Sequence, residues 1–193
     1  MKATTAVATF LLSLTVSAQQ STTAPMSVPP PYPTPQGERV DLQTQLGGLD
    51  QQFMTEAAQS GLTEVEMGKL ARTNGQSDAV RQFGERLVED HQRANRELGV
   101  VAGRLSFTLP QVPDAALQHH LTQMGSLRGI EFDNAFSRHL VSAHSAALNL
   151  FRRQATNGQS RDLREFAAKT IPMLEQHLRI ATDIRDGKVL SSL

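Results

Sequence analysis

Beyond about Leu46 the apolar residues recur every three to four positions. Plotted at about 100° per residue, they fall on one stripe in each of four successive segments. The first segment, Asp50 to Thr73, places Phe53, Met54, Ala57, Ala58, Gly61, Leu62, Val65 and Gly68 together. The second, Asp78 to Leu105, carries Val80, Phe83, Leu87, Ala94, Leu98, Val101 and Leu105. The third, Glu131 to Ala155, carries Phe136, Leu140, Ala147, Leu148 and Phe151. The fourth, Asp162 to Ile184, carries Leu163, Phe166, Ala167, Ile171, Leu174, Leu178, Ala181 and Ile184. Four amphipathic helices burying their stripes against one another predict an all-α helical bundle.

The polar breaks pair the helices. Thr73-Asn74-Gly75-Gln76-Ser77 separates the first two, and the same five residues, Thr156-Asn157-Gly158-Gln159-Ser160, separate the last two. In each, Asn-Gly is expected to end a helix in the left-handed conformation, and the serine to cap the next one. Asp50 and Phe53 precede the first turn by the same distances as Asp133 and Phe136 precede the second. Phe83 and Phe166 follow at equal distances, so the chain reads as two related hairpins. The connection from Ser106 to Ile130 is far longer than a bundle loop and can travel the bundle's length, with a short helix over Pro113 to Met124. Two hairpins joined by such a crossover give the ferritin-like four-helix arrangement, with the short turns at opposite ends. Pro172 falls inside the fourth helix, where a kink near Ala168 is expected.

Composition adds an address. Lys2, the apolar run Ala6 to Val16 and the small-x-small triplet Val16-Ser17-Ala18 form a secretory signal over residues 1–18, cut before Gln19. Residues 19–45, with Pro29-Pro30-Pro31-Tyr32-Pro33, read as a disordered Pro-rich linker; 46–186 form the bundle, and 187–193 a tail. The expected product is exported, periplasmic or secreted, with no membrane span. Without cysteine it has neither a disulfide nor a site for lipid attachment. The 19 basic residues balance 19 acidic ones and aromatic content is 5%, which argues against nucleic acid as a partner and leaves an envelope protein or a metal ion.

The candidate chemistry is what remains polar on the apolar stripes. Each helix sends one ionisable side chain inward near its middle: Glu64, His91, His144 and His177. Three imidazoles and a carboxylate form a set suited to Zn, Fe or Mn, with Asp90 orienting one ring from behind. The same residues also serve as hydrogen-bonded polar groups bracing the core with no metal. His119, His120 and His139 read as solvated. The carboxylate di-iron pattern fails, because Val88 and Leu174 stand three before His91 and His177 where it needs Glu. There is no phosphate loop, nucleophile elbow or His-Glu-x-x-His, so the reading leans away from an enzyme. It favours a non-catalytic binding or envelope-stress module, with metal binding as the alternative.

Several stretches resemble a known family. They are Asp50-Gln51-Gln52-Phe53, Ala57-Ala58, Gly61-Leu62-Thr63-Glu64-Val65, Met67-Gly68-Lys69-Leu70-Ala71, Asp90-His91 with Ala94-Asn95, Phe132-Asp133, and Phe166 to Pro172 leading to His177. In order and spacing they resemble domain of unknown function 4142, a family of exported bacterial proteins often labelled "predicted outer membrane protein". The resemblance runs from about Leu49 to Ile184 and implies a ferritin-like fold and export, but no activity. The family carries Asp-His in its second and third helices, whereas here the third has Ala143-His144. The outer-membrane label finds neither an anchor nor a barrel in this sequence.

Overall fold

In a computed structural model, residues 46–188 are described, and among them the regular structure is helical. The stretches expected to be signal and linker, and most of the expected tail, lie outside the described residues. Helix α1 spans Gly48–Asn74, α2 Asp78–Arg104, α3 Ala115–Ser126, α4 Gly129–Asn157 and α5 Arg161–Arg185. The four long segments expected from periodicity are α1, α2, α4 and α5, and α3 is the short helix in the crossover. No described helix is long and apolar enough to cross a membrane.

α1 packs on α2 and α4 on α5 as hairpins; α1 also contacts α4, and α2 contacts α5. The α1–α2 hairpin closes tightly because Gly68 and Gly84 face each other: a Cβ on Gly68 would lie 2.6 Å from the Gly84 carbonyl oxygen, and one on Gly84 2.7 Å from that of Gly68. α3 lies along α1. The Asp114 N–H donates to Gln59 Oε1 at 2.7 Å at one end, and Asn74 Nδ2 to the Gly125 carbonyl at 3.4 Å at the other.

The two turns end their helices differently from the expectation. Gly75 (φ −67°) and Gly158 (φ −62°) are extended, not left-handed. Glycine is needed there for space: a Cβ on Gly75 would approach the Ala71 carbonyl oxygen to 2.6 Å, and one on Gly158 that of Gln154 to 2.7 Å. The following amides are satisfied by the other hairpin. Asp133, on α4, accepts from the N–H of Gln76 and of Ser77, each at 2.9 Å. Asp50, on α1, accepts from Gln159 at 3.1 Å and Ser160 at 2.8 Å, and from Gln154 Nε2 at 2.7 Å. Each hairpin thus caps its partner's turn, and the repeated Asp is the contact that fixes their register. Ser77 and Ser160 cap α2 and α5 as expected, accepting from Val80 and Leu163. Since the α1–α2 turn sits against the start of α4 and the α4–α5 turn against the start of α1, the short turns lie at opposite ends.

α5 runs unbroken through Pro172. The carbonyl freed by the proline belongs to Ala168, which is exposed and open to water.

The apolar interior is divided in two. One cluster gathers Phe53, Leu98, Leu148, Phe151, Leu163, Phe166 and Leu174, and the other Met67, Val80, Phe83, Leu87, Phe132, Phe136, Leu140 and Ile180. Along each long helix the chain passes from one cluster to the other through a polar residue: Glu64, His91, His144 or His177. A polar layer crosses the middle of the core.

Candidate metal centre

His144 and His177 are 1% and 0% exposed, and His91 is buried beside them. Their partners fix the protons. His144 Nδ1 lies 3.1 Å from the Leu140 carbonyl oxygen, which only accepts, so Nδ1 carries the hydrogen. His177 Nε2 lies 3.0 Å from Asp90 Oδ2. The His177 hydrogen bond and the Arg93 guanidinium hold the Asp90 carboxyl well below its usual range, so it also accepts, and Nε2 carries the hydrogen. A neutral imidazole has one N–H. With both imidazoles neutral, His144 Nε2 and His177 Nδ1 are both bare, and they face each other at 3.2 Å. Two lone pairs at that distance repel unless a cation lies between them.

The third ring points to which cation. His91 Nε2 is buried with no hydrogen-bond partner. One ring nitrogen from each of His91, His144 and His177 lies within 4.8 Å of the others. Burial, reinforced by the neighbouring rings, pushes His91 well below its usual range and His144 down to about 3, so these two rings stay neutral at neutral pH and offer lone pairs to a metal ion. A tetrahedral ion with bonds of about 2.05 Å holds its ligands about 3.3 Å apart, close to the separation His144 and His177 already have.

Asp90 ties this cluster to the surface. Besides His177 it accepts from Arg93 and, at 3.4 Å, from Arg86 Nε, while Arg86 also donates to Gln176 Oε1 on α5 at 2.7 Å. A carboxylate behind a ring nitrogen fixes the tautomer and raises the basicity of the other nitrogen, the usual support of a metal-bound histidine. The sequence leads to the expectation that Asp90 orients one ring, and the ring it contacts is that of His177. A cavity of about 20 Å³, room for one water, adjoins His91 between Gly61, Asn95, Phe151 and Phe166.

Glu64 stands apart from the three imidazoles. It is 2% exposed and belongs to the same layer, yet its ionisable neighbour is His139, with Oε1 4.0 Å from His139 Nε2. Burial pushes its carboxyl up to about 8. The expectation that His139 and His120 are solvated is corrected here. His139 Nδ1 lies 3.1 Å from His120 Nε2, and the His139 side chain is only 20% exposed. Burial and the nearby His120 push His139 down to about 4. A wheel of α4 alone puts His139 off the stripe. What covers it is α3, and the His119-His120 pair on the crossover was the available signal. His119 is exposed.

The family model described as Domain of unknown function (DUF4142) matches residues 37–184. No curated protein and no solved structure matches the chain.

Proposed function

We propose that this chain, which belongs to the DUF4142 family, is a metal-holding helical domain that binds one first-row transition ion through His91 Nε2, His144 Nε2 and His177 Nδ1. The observation that carries the reading is the convergence of one ring nitrogen from each of the three buried histidines within 4.8 Å, with His91 Nε2 left without a hydrogen-bond partner. Three imidazoles without thiolate suit Zn, Cu, Fe or Ni, and Glu64's position outside the group weakens the case for Mn. The ionised Asp90 carboxylate supplies countercharge for a buried cation.

Energetics support a retained role for the layer. Leucines at 91, 144 and 177 would fuse the two apolar clusters, each contributing about 1.5–3 kcal/mol. The polar layer forgoes that stabilisation. The hairpin pairing, the turns at opposite ends and the traversing α3 support reading the fold as ferritin-like. Residues 1–18 support export, and a soluble envelope protein that stores or senses a metal is consistent with both.

A second reading is a non-catalytic binding module whose polar layer only braces the bundle. It draws on the continuous chain Asp90–His177–His144–Leu140, which one extra shared proton would complete.

Metal analysis by mass spectrometry, with thermal melts before and after EDTA, separates the two. The metal reading expects near-stoichiometric ion, a melting temperature that falls on chelation, and loss of the ion in His144→Leu and His177→Leu. Those variants should fold at least as well as the chelated protein, since each exchanges a buried polar ring for an apolar side chain. Protein that stays empty after incubation with Zn(II), Cu(II), Fe(II) and Ni(II) in turn, or stoichiometric ion surviving in both variants, would sink the assignment. Asp90→Asn should weaken affinity about 10–100-fold without abolishing binding, measured by competition with a chromophoric chelator.

A further inference from the structure

We infer a second cation site in the same layer, between the Glu64 carboxylate on α1 and His139 Nε2 on α4, taking a divalent ion with mixed oxygen and nitrogen ligation. Glu64 is 2% exposed, and its Oε2 has no hydrogen-bond partner. His139 Nε2 likewise has none. The two side chains face each other with 4.0 Å between Oε1 and Nε2, too long for a hydrogen bond and wide enough for an ion at ordinary metal–ligand lengths of about 2.0–2.2 Å. A water in the gap would satisfy Nε2 but leave Oε2 orphaned. An ion held by the carboxylate satisfies both.

His120 is the positioning residue. With His139 Nδ1–H donating to His120 Nε2, the ring presents a bare Nε2 towards Glu64, the arrangement a metal-bound imidazole requires. His120 sits on α3, which gives the crossover helix a purpose beyond covering α1: it brings a ring against His139 on α4. The site also has an approach, because His120 and His139 are both only partly buried, whereas His144 and His177 are sealed.

The inference shares the layer with the proposed three-histidine centre but uses none of its ligands, so the two can fail separately. Titrating the metal-free protein with Co(II) and following its visible absorption should give two equivalents per chain. A His144→Leu/His177→Leu variant should keep one. Glu64→Gln or His139→Phe should keep the other, and His120→Phe should weaken the second equivalent about 10–100-fold. One equivalent in the wild type, untouched by Glu64→Gln and His139→Phe, overturns this site and leaves the three-histidine reading standing. One equivalent lost in Glu64→Gln but kept in His144→Leu/His177→Leu does the reverse. A single equivalent lost in every variant would make Glu64 a fourth ligand of the histidine centre and also overturns a separate site. Circular dichroism on each variant confirms that loss of binding is not loss of fold.

Discussion

Asp50→Ala lowers the stability of the domain by about 3 kcal/mol, a fall of about 10 °C in melting temperature for a chain of this size. The carboxylate is 0% exposed and accepts three hydrogen bonds, from Gln154 Nε2 and the amides of Gln159 and Ser160. Alanine removes the acceptor and leaves the donors. Gln159 is exposed and recovers a partner in water, while Gln154 is buried and does not, which sets the cost at the upper end of the range for orphaned groups. Asp133→Ala should cost less, because Asp133 accepts two such bonds, at 2.9 Å each, and has no counterpart of the buried Gln154 donor. The two aspartates cap opposite ends of the molecule, so the double variant should lose the sum of the single losses. Urea denaturation of the four proteins tests this. A double variant no less stable than Asp50→Ala would mean that the hairpins hold their register without the reciprocal caps.

Those aspartates also mark what could be read from the sequence. Their equal spacing before two identical turns announced a repeated hairpin, and the periodic stripes announced four long helices. Neither announced that each Asp would cap the opposite hairpin, because that contact spans more than fifty residues and depends on how the hairpins dock. The candidate centre divides in the same way. His91, His144 and His177 were legible because each interrupts an apolar stripe at mid-helix, and Asp90 because it adjoins His91. Glu64 was correctly placed in the core but not with its partner. Its neighbour His139 lies on a face of α4 that a wheel assigns to solvent, and it is flanked there by His120 of α3 and Glu64 of α1. Wheel arithmetic locates the layer along each helix. The pairing within the layer is set by helix rotation and by the crossover, which periodicity does not encode.

Glu64→Gln should make the metal-free protein more stable at neutral pH, and the gain should vanish in acid. The Glu64 carboxyl titrates at about 8 when folded, against 4.5 for an ordinary glutamate. Between those values the folded state keeps a proton that the unfolded state has lost. Its stability is therefore full below about pH 4.5, falls as pH rises towards 8, and is level above that. At pH 7 the accumulated loss is of order 3 kcal/mol. Glutamine is neutral throughout and escapes it. Denaturation of both proteins in EDTA, from pH 4.5 to 8, should show curves that coincide at the acid end and diverge upwards. Because His91, His144 and His139 are common to both proteins, the difference isolates Glu64. Parallel curves would mean that water reaches the carboxylate and it ionises freely. Repeating the series with saturating Co(II) should invert the order at pH 7 and above, since an ion between Glu64 and His139 stabilises the ionised carboxylate that burial alone opposes. The same substitution thus stabilises the empty protein and destabilises the loaded one, a reversal that a merely structural glutamate would not produce.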